Sequence, residues 1–266
     1  MVGAWNAPTD NQHTLDSVEY QNMVSLIGMR IIFFGMGGVF SRAPLAALLR
    51  AGVDLRAVVE PAPDAMADGA AFTRLEPSRW AASGAARRGL PMAGAAGMAG
   101  GVAARTIREI AASVGAPTYS VRRLRDERFL AEMAQYQPDA ICVACFSRKL
   151  PPELLSIPRL GALNAHPSLL PKGRGPDPLF WLLREGATQT GVTIHLMDEE
   201  LDTGPILTQQ AFTLDENTAT EPQLEAQLGL LAGDLLVEAL VGLAAGTLTP
   251  QPQDETLATY QGWPER

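Results

Sequence analysis

Three polar side chains that could do chemistry lie within one stretch of the chain, Gly161 to Leu207, which reads GALNAHPSLLPKGRGPDPLFWLLREGATQTGVTIHLMDEELDTGPIL. Asn164 and His166 are two apart, and Asp202 follows in a short acidic loop. An Asn amide can donate to a carbonyl oxygen as that oxygen gains charge, and an imidazole can donate to it or carry a proton. A carboxylate within reach can fix the imidazole tautomer, stabilise its charged form and place a water. Together they suit acyl transfer in which the acceptor itself attacks, so that no covalent nucleophile is required. One preorganised oxyanion donor is worth roughly 100- to 1000-fold, or about 3 kcal/mol. Alone, N-x-H is a weak pattern, because an Asn and a His at a strand end commonly satisfy loop backbone groups instead.

The surrounding sequence has to bring these groups together. Residues two apart in a strand face the same way, so a strand over Leu160 to Asn164 and its continuation would point Asn164 and His166 into one cleft. Met29 to Gly35 (MRIIFFG) is a solid apolar run ending in glycine, the pattern of a buried parallel strand. A helical pattern through Leu45, Leu48 and Leu49 stops at Gly52, and a second strand spans Leu55 to Glu60, which makes a βαβ unit. Further on, a helix near Ala103 to Ser113, an extended piece at Pro117 to Ser120 and a helix over Asp126 to Tyr136 precede the strand Ala140 to Cys145. Phe146 to Pro151 leaves that strand at its C-terminal end, where open α/β sheets bind ligands. A helix over Pro176 to Glu185, an alternating strand over Gly191 to Met197 and a strand near Pro205 to Phe212 follow. Thr218 to Glu221 resembles a capping box, and Leu224, Leu228, Leu231 and Leu235 mark the core face of a long helix.

Several tempting motifs carry less. Gly35-Met36-Gly37-Gly38, with Glu60 at the end of the second strand, invites a dinucleotide-binding reading, but Phe40 breaks G-x-G-x-x-G, and the glycines are expected to serve the turn. Cys142 and Cys145 form C-x-x-C, yet side chains three apart in a strand face opposite ways, so both are expected as small core residues. His195 either lines the cleft or is a satisfied histidine at the end of the sheet. Residues 62–101 are rich in Ala, Gly and Pro, with Arg74, Arg79, Arg87 and Arg88 among them, and are expected as a long, partly mobile surface excursion.

The 266 residues, 47% hydrophobic, suit one large α/β domain, with a net charge of -8 that disfavours a broad nucleic-acid face. Two cysteines exclude a disulfide framework and fit a reducing, cytoplasmic setting. No run is expected to span a membrane, and residues 1–28 lack the pattern of a signal peptide. They are expected as a polar, mobile extension, or as the product of an early start with Met23 or Met29 as the true beginning. Residues 29–247 are expected to form the catalytic domain and 248–266 a surface tail.

NAHPSLLPKGRG together with TGVTIHLMDEELDTGPIL resembles the folate-dependent formyltransferases, with a match close to the methionyl-tRNA formyltransferase catalytic domain and a resemblance also to the glycinamide ribonucleotide formyltransferases. The similarity runs from MRIIFFG to about Thr259-Tyr260. It implies a Rossmann-like open, mostly parallel twisted sheet with helices on both faces, and 10-formyltetrahydrofolate as formyl donor. It also implies that Asn164 binds the formyl oxygen, that His166 stabilises the oxyanion and moves a proton, and that Asp202 orients His166. Ser168, Leu169, Leu170 and Pro171 match a tetrahydrofolate-contacting turn. Ser147, Arg148, Lys149 and Leu150, and Asp198, Glu199, Glu200 and Leu201, match loops whose backbone cradles the pterin, so that replacing Arg148 is expected to do little. No metal is implied.

The resemblance leaves the amine acceptor open between initiator methionyl-tRNA and a small amine such as an amino sugar nucleotide or an amino-acid-like compound. An acidic balance and an end soon after the catalytic unit lower the expectation of tRNA. A formyltetrahydrofolate hydrolase is disfavoured because only 28 residues precede the unit. A non-catalytic folate-binding module is disfavoured because a binder has no need of a proton relay.

Overall fold

The computed structural model describes residues 26–63, 70–76, 105–214 and 220–265. The expected extension over 1–28 lies almost wholly outside them, as does most of the 62–101 excursion.

In chain order the elements are β1 (Arg30–Gly35), α1 (Val39–Arg50), β2 (Asp54–Pro61), β3 (Phe72–Leu75), α2 (Ile107–Ser113), β4 (Thr118–Val121), α3 (Glu127–Gln135) and β5 (Ala140–Ala144). There follow α4 (Pro152–Leu155), β6 (Ala162–His166), α5 (Pro178–Arg184), β7 (Gln189–Leu196), β8 (Ile206–Thr213) and α6 (Glu221–Ala245). The strands form one sheet in the order β3-β4-β2-β1-β5-β6-β7-β8. The β4-β2-β1-β5-β6 block is parallel, and β3, β7 and β8 join it antiparallel. This is the expected mostly parallel α/β sheet.

The solid apolar runs are solid because both faces are covered. Ile31 and Phe33 join one core with α1, α2 and α6, while Ile32 and Phe34 join the other with α3 and α4. The α1–α6 contact is close because α6 carries glycines there: a Cβ on Gly233 would sit 2.8 Å from the Cβ of Ala47. Helix α6 is long and apolar enough to cross a bilayer by length and composition, contrary to the expectation that no run would be. Here its stripe of Leu224, Leu228, Leu236 and Leu240 is fully buried against the sheet and α1.

Two further expectations need correction. Residues 72–75, inside the supposed excursion, form an antiparallel edge strand on β4, placed by Phe72 packing against Tyr119 and Phe129. Cys142 is a core residue, but Cys145 is exposed, because the chain turns at a left-handed φ of 56° immediately after β5. The Gly37-Gly38 turn does serve α1. Gly38 is its N-cap and has no side chain to offer, and the Glu225 carboxylate of α6 accepts the Phe40 N–H at 3.1 Å instead.

Candidate active site

Strand β6 ends between β5 and β7, and its register sets the site: Asn164 lies opposite His195 and His166 opposite Thr193. Directly opposed residues in an antiparallel pair share a face, so Asn164, His166 and His195 emerge together. Asp202 comes from the turn between β7 and β8 and holds a left-handed φ of 58°, a conformation that Asp tolerates better than most residues.

The Asp202 carboxylate is buried and sits at the centre of the group. Its Oδ2 accepts the Gly175 N–H at 2.9 Å. Its Oδ1 lies 3.5 Å from Asn164 Nδ2, 3.6 Å from His166 Nδ1 and 3.7 Å from His195 Nε2. The structure thus brings Asn164 and His166, together with His195, around one oxygen of Asp202.

Hydrogen-bond partners settle the tautomers. His195 Nδ1 faces the Leu196 carbonyl at 2.9 Å and must donate to it, which leaves Nε2 as an acceptor for the Asn164 amide at 3.1 Å. Burial pushes the His195 imidazole down to about 4, only partly offset by the Asp202 charge and reinforced by His166, so the ring is neutral at pH 7. His166 Nε2 faces the Gly173 carbonyl at 2.8 Å and therefore carries a proton, which it donates there. Asn164 directs its amide hydrogens at His195 and, more weakly, at Asp202. Of these the 3.5 Å limb is the one an incoming oxygen could displace at least cost.

The other expected residues fall into two groups. The turn at 168–171 is pinned from below. Thr193 Oγ1 donates to the Ser168 carbonyl at 2.7 Å and accepts the Leu170 N–H at 3.2 Å, and Gln209 donates to the Leu170 carbonyl at 2.9 Å. Ser168 Oγ donates to the Lys172 carbonyl, Leu169 packs on Gly191, and the Leu170–Pro171 peptide is cis. Loops 147–150 and 198–201 face each other: Lys149 pairs with Glu200 at 3.2 Å, and Asp198 accepts the Thr203 hydroxyl at 2.7 Å. Ser147 and Leu201 are exposed, whereas Leu150 is core. A cavity of about 790 Å³ opens between these loops, lined by Arg122, Arg123, Arg125, Arg148 and Lys149 against Glu199 and Glu200.

Arg148 is less idle than expected, since it donates to the Arg122 carbonyl at 2.6 Å and the Ala62 carbonyl at 3.3 Å, tying three loops together. Sequence reading also missed the backbone partners Gly173 and Gly175 and left His195 undecided. The only hint for His195 was its place on the same face of the alternating strand as Thr193.

Residues 29–240 match the family model described as formyl transferase. Methionyl-tRNA formyltransferase of Roseiflexus sp. (strain RS-1) is 41% identical over 157 residues, which is 59% of this chain and 48% of that protein. The protein of the same name from Synechococcus sp. (strain JA-3-3Ab) is 44% identical over 153 residues, or 57% and 47%. The chain spans about half the length of the curated relatives it matches. Among solved structures, phosphoribosylglycinamide formyltransferase from Streptococcus pneumoniae TIGR4 is similar over 81% of this chain and 98% of its own, with 20% identity and a TM-score of 0.56. HypX from Aquifex aeolicus in complex with tetrahydrofolic acid is similar over 89% and 30%, with 19% identity and a TM-score of 0.57. With a sheet of this order and four-fifths of its length under the family model, the chain belongs to the formyl transferase family.

Proposed function

We propose that this chain transfers a formyl group from 10-formyltetrahydrofolate to an amine, with initiator methionyl-tRNA as the first candidate acceptor and a cytoplasmic setting. Support for tRNA comes from the names of relatives at about 40% identity. The observation that carries the chemistry is the gathering of Asn164 and His166 around one buried carboxylate oxygen of Asp202.

In this reading the Asn164 amide and the His166 imidazole donate to the formyl oxygen as the amine attacks the formyl carbon, and Asp202 stabilises the charge that His166 acquires. The attacking amine loses a proton and the departing folate nitrogen gains one, so a relay through His166 and Asp202 keeps the step balanced. His166 can turn its proton to substrate only by leaving the Gly173 carbonyl.

The cavity beside loops 147–150 and 198–201 offers irregular backbone that suits reduced folate, while Asn164, His166, Asp202 and residues 168–171 stand outside its lining. Residues 147–150, 168–171 and 198–201 would hold the pterin and its neighbouring ring.

The test incubates the protein with 10-formyltetrahydrofolate and follows folate release by absorbance, with charged initiator tRNA, with a panel of small amines, and with no acceptor. Release that depends on charged tRNA is the expected result. Release only with a small amine overturns the choice of acceptor, and release without acceptor means a hydrolase. Binding without release in any arm ends the transferase reading.

A further inference from the structure

The segment that follows α6 does more than run along the surface. Gln251 pairs with Ile206 at the start of β8, and Tyr260 forms a parallel bridge with Arg174. Between these points the chain is hydrogen-bonded to the loop after β6: the Thr259 hydroxyl accepts the Gly173 N–H at 2.8 Å, the Thr259 carbonyl accepts the Arg174 N–H at 3.0 Å, and the Thr259 N–H donates to the Pro171 carbonyl at 3.1 Å.

Two side chains convert this strap into a brace on the site. Gln253 Nε2 donates to the Asp202 carbonyl at 2.8 Å and to the Gly204 carbonyl at 2.7 Å, while its Oε1 accepts from Arg174 at 2.8 Å. Arg174 is only 7% exposed and forks onto Glu255, at 2.9 Å and 2.7 Å. A planar guanidinium with both limbs engaged fixes direction as well as distance. The residues on either side of Arg174 supply the outside partners of the proposed triad: Gly173 gives its carbonyl to His166, and Gly175 gives its N–H to Asp202.

We propose that Gln253 and Arg174 are positioning residues that set Asp202 against His166 through the strap. The inference rests on the formyl-transfer reading for its kinetic test, and its structural test is independent of that reading.

Gln253→Glu separates positioning from simple tail docking. A glutamate keeps the size and still accepts from Arg174, but it cannot donate to the Asp202 and Gly204 carbonyls and places a charge against them. Three readouts are taken on the full chain: kcat and KM for 10-formyltetrahydrofolate with the active acceptor, the melting temperature, and the side-chain ring resonances of His166, assigned with His166→Gln. The expected result for Gln253→Glu is a kcat lowered at least ~10-fold, a KM changed less than about 3-fold, and displaced His166 ring resonances, in a protein that still melts cooperatively. Gln253→Ala and Arg174→Lys should follow the same direction. Wild-type kcat and unmoved ring resonances in a folded Gln253→Glu overturn the proposal. Should the wild-type protein release no folate with any acceptor, the formyl-transfer reading falls while the ring resonances still decide the positioning claim.

Discussion

The Asn164 amide and the His195 imidazole meet across the pairing of β6 with β7, 3.1 Å apart, and this contact fixes which atoms of each remain free. His195→Leu removes the acceptor and leaves the amide of Asn164 to rotate or to turn wholly onto Asp202. His195→Gln keeps a carbonyl oxygen in reach. Turnover is therefore expected to fall at least ~10-fold in the leucine variant and only about 3-fold in the glutamine variant, read from initial rates of folate release. Equal losses in both would show that the neighbour of Asn164 is immaterial.

Removing the central groups should cost far more. Asn164→Ala, His166→Ala and Asp202→Asn are each expected to lower turnover by at least ~100-fold. Asp202→Asn is the cleanest of the three, because asparagine also tolerates a φ near the observed 58° and the change removes charge without straining the turn. Pairs of these substitutions should lose little beyond the worse single one, since the groups act as a unit. A folded single variant that turns over at the wild-type rate rejects the assignment of that residue.

Burial of neutral His195 has a pH signature. Its value is lowered from 6.5 to about 4 in the folded chain, so the unfolded chain binds the proton first as pH falls. The resulting stability is fully present above pH 6.5 and is lost progressively down to about pH 4, with a change on the order of 3 kcal/mol across that window. Urea midpoints at intervals between pH 7 and pH 4 should show a steeper decline in wild type than in His195→Gln. Parallel declines would mean that other groups carry the acid sensitivity.

What the sequence disclosed and withheld follows from the range of the interactions. The strands around the site read clearly because β1 and β5 are apolar on both faces, and because β7 alternates core residues (Val192, Ile194) with site residues (Thr193, His195). The pairing of Asn164 with His166 was visible through the period of a strand alone. The brace was not: Gln253 and Asp202 are 51 residues apart, and a Gln among prolines carries no local pattern. Cys145 was misplaced because a left-handed turn interrupts the alternation right after β5, and β3 was missed because four residues with one half-buried ring are too short to show a period.

Arg148 should matter more than a backbone-only cradle implies. Its guanidinium holds the Arg122 and Ala62 carbonyls, so Arg148→Ala removes a tie between two loops, one of which lines the cavity at Arg122. The expected outcome is a KM for 10-formyltetrahydrofolate raised about 5- to 10-fold with kcat nearly unchanged, the mark of lost uniform binding. Arg148→Lys should recover little of it, since one ammonium cannot span both carbonyls with the planar fork of arginine. An unchanged KM in Arg148→Ala would return the residue to the idle role first assigned to it.

Two glycines beside Asp202, its partner Gly175 and Gly204 two residues on, should prove irreplaceable for steric reasons. At Gly204 a Cβ would stand 1.8 Å from the Leu196 carbonyl oxygen, and at Gly175, whose φ is +125°, it would stand 1.9 Å from the Gln261 carbonyl oxygen. Both obstacles are backbone atoms held in hydrogen-bonded turns, so neither can yield as a flexible side chain would: Leu196 pairs through Pro205, and Gln261 through Arg174. Gly204→Ala and Gly175→Ala are each expected to destabilise the fold by more than about 3 kcal/mol, the size seen when a substitution forces backbone apart. Gly186, with φ +63° and nothing within 4 Å of its Cβ position, supplies the control. An alanine there bears only the conformational strain, about 1–2 kcal/mol. Thermal melts that rank Gly186→Ala well above the other two variants support this account of the turn, and equal melting temperatures for all three would contradict it.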